Sequence, residues 1–491
     1  MLFNSLHFAV FLPCVVIIYF ATPGRWRWTW LLAASYYFYA CWKIEYLALI
    51  VVSTLVDYVV ARCMARAVAG RRTFFLCLSL TVNLGLLFAF KYFNFVSASV
   101  RAAFGNFDLT YSVPALDVLL PVGISFYTFQ TLSYTIDVYR GKREPEMHLG
   151  IFALYVAYFP QLVAGPIERS TRLLPQLRVV QNFDFDRLKT GLVLMLWGFF
   201  QKLVIADRMA MVVDHVYTDP QQTGGAVLLI GTYAFAFQIY CDFAGYSNIA
   251  IGTAKIMGID LMQNFRQPYY ARSIPEFWRR WHISLSTWFR DYVYIPLGGS
   301  RVRKLRLHIN LLLVFAVSAI WHGAHWKFLV WGLLHGLYMV FGGLTAGWRH
   351  RCAAAVGLDR LPRLQRVLGV VVTFNLVCLA WVFFRADSIS DAAAILCNIF
   401  RMEGLCTVAE CLTQPGLLNE VFGLSRTHLV AVAAGLVILE LGHTLQMFDR
   451  LQVRALAAPT CLRWLAYIIL ILVIANFGIF QNPRQFIYFQ F

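Results

Sequence analysis

Residues 308–346 read HINLLLVFAVSAIWHGAHWKFLVWGLLHGLYMVFGGLTA. Two apolar runs, 308–322 and 327–346, stand either side of a short link that carries histidines. Crossing a hydrocarbon core takes about 20 helical residues. Membrane-spanning strands would instead give short segments of alternating polarity. These runs are continuous, which selects helices. Ten further runs of this kind lie at 7–22, 28–43, 44–61, 73–96, 117–138, 189–206, 224–246, 365–384, 427–446 and 464–480. The expected fold class is therefore all-α: a polytopic integral membrane protein of about twelve transmembrane helices.

Composition supports this. Of 491 residues 60% are hydrophobic and 14% charged, against roughly a quarter charged in soluble domains. A net charge of +17 raises the question of nucleic acid, but such binding concentrates basic residues on a soluble domain, and none of useful size is present. Lys and Arg gather in cytoplasmic loops of membrane proteins. The basic clusters Arg25–Arg27, Arg62–Arg72, Arg140–Arg143, Arg266–Arg306, Arg349–Arg366 and Arg450–Arg463 all fall inside if the N-terminus lies outside. Loops 97–115, 218–224 and 402–426 then lie outside, as does the tail 481–491. Residues 149–166 are apolar, yet a full crossing there would invert every later loop, so a re-entrant hairpin broken near Pro160 and Gly165 is expected. Residues 267–300 mix aromatic and charged side chains, which suits an interfacial helix. Two such elements imply a central tunnel. The first apolar stretch reads as a retained helix rather than a removable signal. Eleven cysteines without CxxC pairs, Cys14 and Cys77 among them, read as small core residues. No internal repeat of the transporter kind is visible.

Four constellations carry chemistry. In Trp321-His322-Gly323-Ala324-His325-Trp326 an ionisable residue sits within a membrane segment, which is costly and by default functional. A neutral His322 can take a proton from a hydroxyl during acyl transfer; its structural alternative is a histidine satisfied by a backbone carbonyl. Gly323 would loosen the helix beside it. A His322/His325 metal pair lacks a nearby carboxylate or thiolate and is discounted. The run 277–292 holds Trp278, Arg279, Arg280, Trp281, His282, Ser286, Arg290 and Asp291. Interfacial anchoring accounts for some of these. A cytoplasmic mouth for an anionic, nucleotide-bearing donor such as a coenzyme A thioester would use the Arg forks. Asp242, Tyr246 and their neighbours, near the inner end of a span, suggest a polar network lining the cavity, or packing alone. Gln130 and Asn264 are further lining candidates. Tyr488 is the only hydroxyl in the apolar tail. It can anchor the end at the interface or face His322 from the outer mouth of the tunnel.

EFWRRWHISLSTWFRDYVYIPLGG (276–299) followed by WHG (321–323) resembles the membrane-bound O-acyltransferase (MBOAT) family, in the bacterial subgroup that contains the alginate O-acetyltransferase membrane subunit. LPVGISFYTFQTLSYTIDVYRG (120–141), FPQLVAGPIERSTRLLPQL (159–177), DFAGYSNIAIG (242–252), FFRA (383–386) and FIYFQF (486–491) match as well. The resemblance covers most of the chain, 1–491, as one membrane domain with core motifs in 120–346. It implies a catalytic His322 and a supporting His282. It implies acetyl-CoA as donor substrate, with no tightly bound cofactor and no metal. The acceptor it implies is an exported polysaccharide such as alginate, cellulose or peptidoglycan, served by a periplasmic SGNH-type partner. The location implied is the bacterial inner membrane, among its lipids, with both termini periplasmic. Tyr488 is a possible acyl relay. Competing readings are a D-alanyl transferase of a sister branch, a polysaccharide or lipid-precursor transporter, and a scaffold that anchors a periplasmic enzyme.

Overall fold

The computed structural model describes residues 1–105, 111, 113–117, 120–163, 165–447, 459–480 and 484–489. Parts of loop 97–115, of run 117–138, of the Arg450–Arg463 cluster and of the tail 481–491 lie outside them. Among the described residues the regular structure is helical, and nine helices are long and apolar enough to cross a membrane. These nine coincide with nine of the twelve expected spans. The other three are shorter: Leu6–Ala21 and Ile124–Tyr139 have 16 residues and Arg27–Ala40 has 14. Run 117–138 is cut at its start because Pro121 and Gly123, the latter at φ 77°, turn the chain before the helix begins. Two expected loops are largely helical instead. Helix Phe93–Gly105 continues the preceding span into 97–115, and 402–426 contains Leu405–Thr413 and Pro415–Phe422. Ile389–Arg401 and Leu405–Cys411 together form a pair bent by 83°, a broken span or a re-entrant loop.

The segment 149–166 is broken, as its sequence demands. Helix Leu149–Ala157 stops at Tyr158, and a short turn Phe159–Leu162 follows. Gln130 Nε2 donates to the Tyr155 carbonyl at 2.6 Å, and Gln161 Nε2 to the same oxygen at 2.9 Å. Side-chain amides thus take over a carbonyl that the interrupted helix leaves free. The cysteines divide: Cys241, Cys378 and Cys411 are buried as expected, whereas Cys14 and Cys77 are exposed on the helix surface, where the surroundings of a membrane helix are themselves apolar.

Helix Gly225–Ile256 is the axis of the molecule. Its most apolar window is 72% buried, against 6% for the peripheral helix Thr460–Phe477. It crosses Phe185–Phe199 at backbone contact. A Cβ on Gly198 would lie 2.6 Å from the Gly245 carbonyl oxygen, and one on Gly252 would lie 2.5 Å from that of Gly191. Small residues at such a crossing supply the close packing that joins helices in lipid, where no hydrophobic force does so. Beyond the crossing the chain enters a π-helical stretch, Phe200–Ala206, which sets Lys202 against the axis. Gly245→Val is therefore expected to lower stability by about 1–3 kcal/mol through overpacking. Gly85→Ala, which meets open space, should leave it unchanged or raised. Thermal unfolding in detergent checks both.

Candidate active site

Helix Lys304–His322 ends on the histidine that names its motif. Gly323 is extended at φ −165°, so it serves by size: a Cβ there would lie 2.1 Å from the Phe328 ring. Only glycine lets the hairpin tip close over Phe328 and fold His322 inward. The imidazole is 3% exposed and is walled by Trp321, Trp331, Phe384 and Tyr488, with ring centroids 4.8–5.7 Å away. Among the described residues neither ring nitrogen has a hydrogen-bond partner. The backbone-satisfied alternative therefore does not hold. Buried polar atoms are almost always paired, so two free nitrogens here are suited to a ligand.

His282 reaches the same place by another route. It is the left-handed link, φ 41° and ψ 57°, between helices Ile274–Arg280 and Ile283–Phe289. A non-glycine residue there costs about 1–3 kcal/mol and persists only when its surroundings enforce it. Asn264 does the enforcing. Its carbonyl accepts from Ile283 N at 2.9 Å, its Oδ1 accepts from Ser284 Oγ at 2.6 Å, and its Nδ2 donates to Ser247 Oγ at 3.0 Å. His282 is fully buried with both ring nitrogens unpartnered among the described residues. Its ring lies 6.0 Å from Trp321 and 6.4 Å from Tyr488.

The tail brings the third unpartnered group. Tyr488 packs 4.7 Å from Phe243 and 5.6 Å from His322, and its hydroxyl has no partner among the described residues. Ile487 N donates to Asp242 Oδ2 at 2.7 Å, and Asp242 Oδ1 lies 2.7 Å from Lys202 Nζ, which also meets Asp207 at 2.9 Å. Further out, Arg484 bonds Asp214, which Arg385 holds at 2.9 Å. Tyr246 underlies the tail through Phe486, at 4.9 Å. Asp242 is thus not near the inner end of a span: its helix runs on to Ile256, leaving the carboxylate mid-helix.

Two cavities flank these groups. A narrow one of about 30 Å³ is lined by Lys91, Ser125, Phe126, Trp321, His322 and Tyr488. A polar one of about 220 Å³ opens beside the tail at Lys202, Asp207, Asp242, Arg385 and Arg484.

The arginine-rich segment divides. Trp281 is buried against Trp381, and Trp278 meets His335 and Trp331 edge-on, forming an aromatic wall that leads to His322. Arg280 pairs with Glu276 at 2.6 Å, and Arg272 pairs with the same carboxylate at 3.0 Å. Burial raises the Glu276 carboxyl, and the Arg272 and Arg280 bonds outweigh that and hold it below its ordinary value. Ser286 Oγ donates to the Trp281 carbonyl. Arg279 and Arg290 are exposed, and Asp291 pairs with Arg290 at 2.8 Å. None of these four lines either cavity. His325 is exposed, and no group of three metal-ligating side chains is placed to hold an ion among the described residues.

Sequence reasoning missed Lys91 and the buried His335. Both are ionisable residues within apolar spans, the signal that marked His322, and both were passed over because no motif surrounds them.

A core of apolar helices with titratable groups left unpartnered at its centre is suited to chemistry within a membrane. The sequence profile of the membrane-bound O-acyltransferase family matches residues 146–356, which include both histidines. The chain is 40% identical over 405 residues to a probable alginate O-acetylase AlgI of Azotobacter vinelandii, covering 82% of this chain and 78% of that one. It is 34% identical over 440 residues to the peptidoglycan O-acetyltransferase of Helicobacter pylori, covering 82% and 81%. It is 31% identical over 284 residues to the teichoic acid D-alanyltransferase of Streptococcus thermophilus, covering 54% and 68%. The chain belongs to the membrane-bound O-acyltransferase family and is a multi-pass membrane acyltransferase.

Asp242→Ala should strand Lys202 beside a single carboxylate and release Ile487. Breaking a buried pair costs about 3–5 kcal/mol, visible as a lower melting temperature and faster trimming of the tail by carboxypeptidase. Asp242→Asn, which keeps an acceptor for Ile487, should be milder on both.

Proposed function

We propose that the protein moves an acetyl group from cytoplasmic acetyl-CoA across the membrane to hydroxyls of an exported cell-envelope polysaccharide. The observation that carries this reading is the convergence of His322, His282 and Tyr488, all buried and unpartnered among the described residues. Acetyl is favoured over D-alanyl because the two O-acetylating relatives align with four-fifths of the chain, against 54% for the D-alanyltransferase. In this reading His322 is the general base. It takes the proton of an acceptor hydroxyl, whose oxygen attacks the thioester carbonyl; the C–S bond then breaks, and the coenzyme A thiolate leaves with the proton returned by the imidazolium. His282, its ring 6.4 Å from that of Tyr488, supports the transfer. Tyr488 is the first acceptor, carrying the acetyl as a phenyl ester until it passes outward. Phenyl esters transfer readily because the phenol is a better leaving group than a sugar alcohol.

Arg279 and Arg290, exposed on the 274–294 segment, would meet the donor's phosphates. The polar cavity beside Arg385 and Arg484 would be the outer mouth, where a periplasmic SGNH-type partner receives the acetyl group. The protein would then lie in the bacterial inner membrane, both termini periplasmic. Which polysaccharide is modified would depend on that partner.

Purified protein in nanodiscs with radiolabelled acetyl-CoA tests the reading. Wild type should release coenzyme A and label protein or added acceptor, and His322→Ala should fall by about 10²–10⁴-fold, the span of general-base effects. No thioester turnover by folded wild type would favour a transporter, and near-wild-type turnover by a folded His322→Ala would remove His322 as the base. Tyr488→Phe should abolish acetylation of polymer; polymer acetylated as before would remove the relay and leave His322 in place.

A further inference from the structure

Lys91 stands inside the membrane helix Gly70–Gly105, at a π-helical turn, Phe88–Tyr92, that swings it out of register toward the hairpin tip. Its Nζ donates to the Trp321 carbonyl at 2.8 Å, to the His322 carbonyl at 3.2 Å and to Ser125 Oγ at 3.4 Å. No carboxylate lies within ion-pair distance of it among the described residues. An unneutralised ammonium within a membrane segment is expensive. The negative end of a helix dipole recovers part of that cost, and capping the last carbonyls of Lys304–His322 is a structural use for it. Capping does not need the charge, however. The next residue, Tyr92, bonds the Ile320 carbonyl at 2.9 Å with a neutral phenol. What the charge adds is a cation on the wall of the narrow cavity that His322 and Tyr488 also line.

We propose that Lys91 is a further catalytic residue, its ammonium stabilising the negative charge that builds on the thioester carbonyl oxygen in this cavity. The inference rests on the acyl-transfer reading above. When the acceptor oxygen bonds to the carbonyl carbon and its proton passes to His322, the C=O π pair moves onto oxygen. That oxyanion persists until the C–S bond breaks and the thiolate carries the sulfur electrons away. A fixed cation placed for this moment needs no reorganisation, and in a dry site its effect is large. Ser125, the most distant of its three acceptors, can yield its place to the oxyanion without uncapping the helix.

The test is steady-state thioester turnover by the full-length protein in nanodiscs, comparing wild type, Lys91→Met and Lys91→Gln. Glutamine keeps two N–H donors for the carbonyls and lacks the charge. Both variants should lose about 10²-fold or more in kcat, the scale of a lost oxyanion donor, with KM for acetyl-CoA little changed. Lys91→Gln near wild-type kcat would make Lys91 a helix cap and overturn the proposal, as would Lys91→Met within about threefold of wild type, well short of that scale. Should Lys91→Met fail to insert, Lys91→Gln decides alone. Wild type that consumes no thioester sinks the acyl-transfer reading together with this one; active wild type with an unimpaired Lys91→Gln sinks the role of Lys91 alone.

Discussion

Lys202 holds the molecule together at its centre. Its ammonium sits between Asp207 and Asp242 with almost no exposure, joining the π-helical stretch, the axial helix and, through Asp242 and Ile487 N, the tail. Hydrocarbon offers no partner to any of these groups, so each must find its counterpart inside the protein. The glycine-lined crossing of Phe185–Phe199 with Gly225–Ile256 brings the two backbones close enough for that. The tail follows from the charge cluster: with Ile487 fixed on Asp242, the next residue is carried in beside both histidines, 5.6 Å from His322 and 6.4 Å from His282.

Scaffold side chains that hold the site are bonded, whereas the groups gathered at its centre are not. Asn264, Gln130 and Glu276 each bind what they face. His322, His282 and Tyr488 bind nothing among the described residues. Being unpartnered is not peculiar to them, since His335, Tyr127 and Tyr158 are buried in the same condition; what sets the three apart is that their rings meet in one place. The sharply turned backbone at His282 belongs with the chemistry: its strain is offset by two hydrogen bonds that Asn264 accepts from Ile283 and Ser284, while Asn264 is itself anchored by donating to Ser247. Two of the π-helical stretches present a lysine, Lys91 and Lys202, and such stretches arise where a side chain must be re-aimed within a helix.

Much of this was legible in the sequence. Nine spans and the broken segment 149–166 followed from hydropathy and from Pro and Gly placement, and His322 stood out as a candidate through the cost of an ionisable residue in lipid. Span lengths were less legible near 120, where Pro121 and Gly123 cut an apolar run that hydropathy alone extends. The roles of the arginines were not legible: whether Arg280 faces a donor or Glu276 depends on a helical spacing of four that puts the carboxylate within reach, and the mixed run 276–291 permits both. Asp242 was misplaced because the axial helix runs ten residues past the end of its apolar run, held by packing rather than by lipid. Lys91 was overlooked since its partners, the carbonyls of residues 321 and 322, lie far away in sequence.

In the proposed reaction an acyl thioester reacts in the narrow cavity lined by His322 and Tyr488. A cryo-EM structure of the protein with a non-hydrolysable acetyl-CoA analogue tests it most directly. The account predicts density for the acyl carbonyl within hydrogen-bond reach of the His322 ring, with the nucleotide toward the 274–294 segment. An analogue bound with its acyl end in any other cavity, or no binding at saturating concentration, would contradict it.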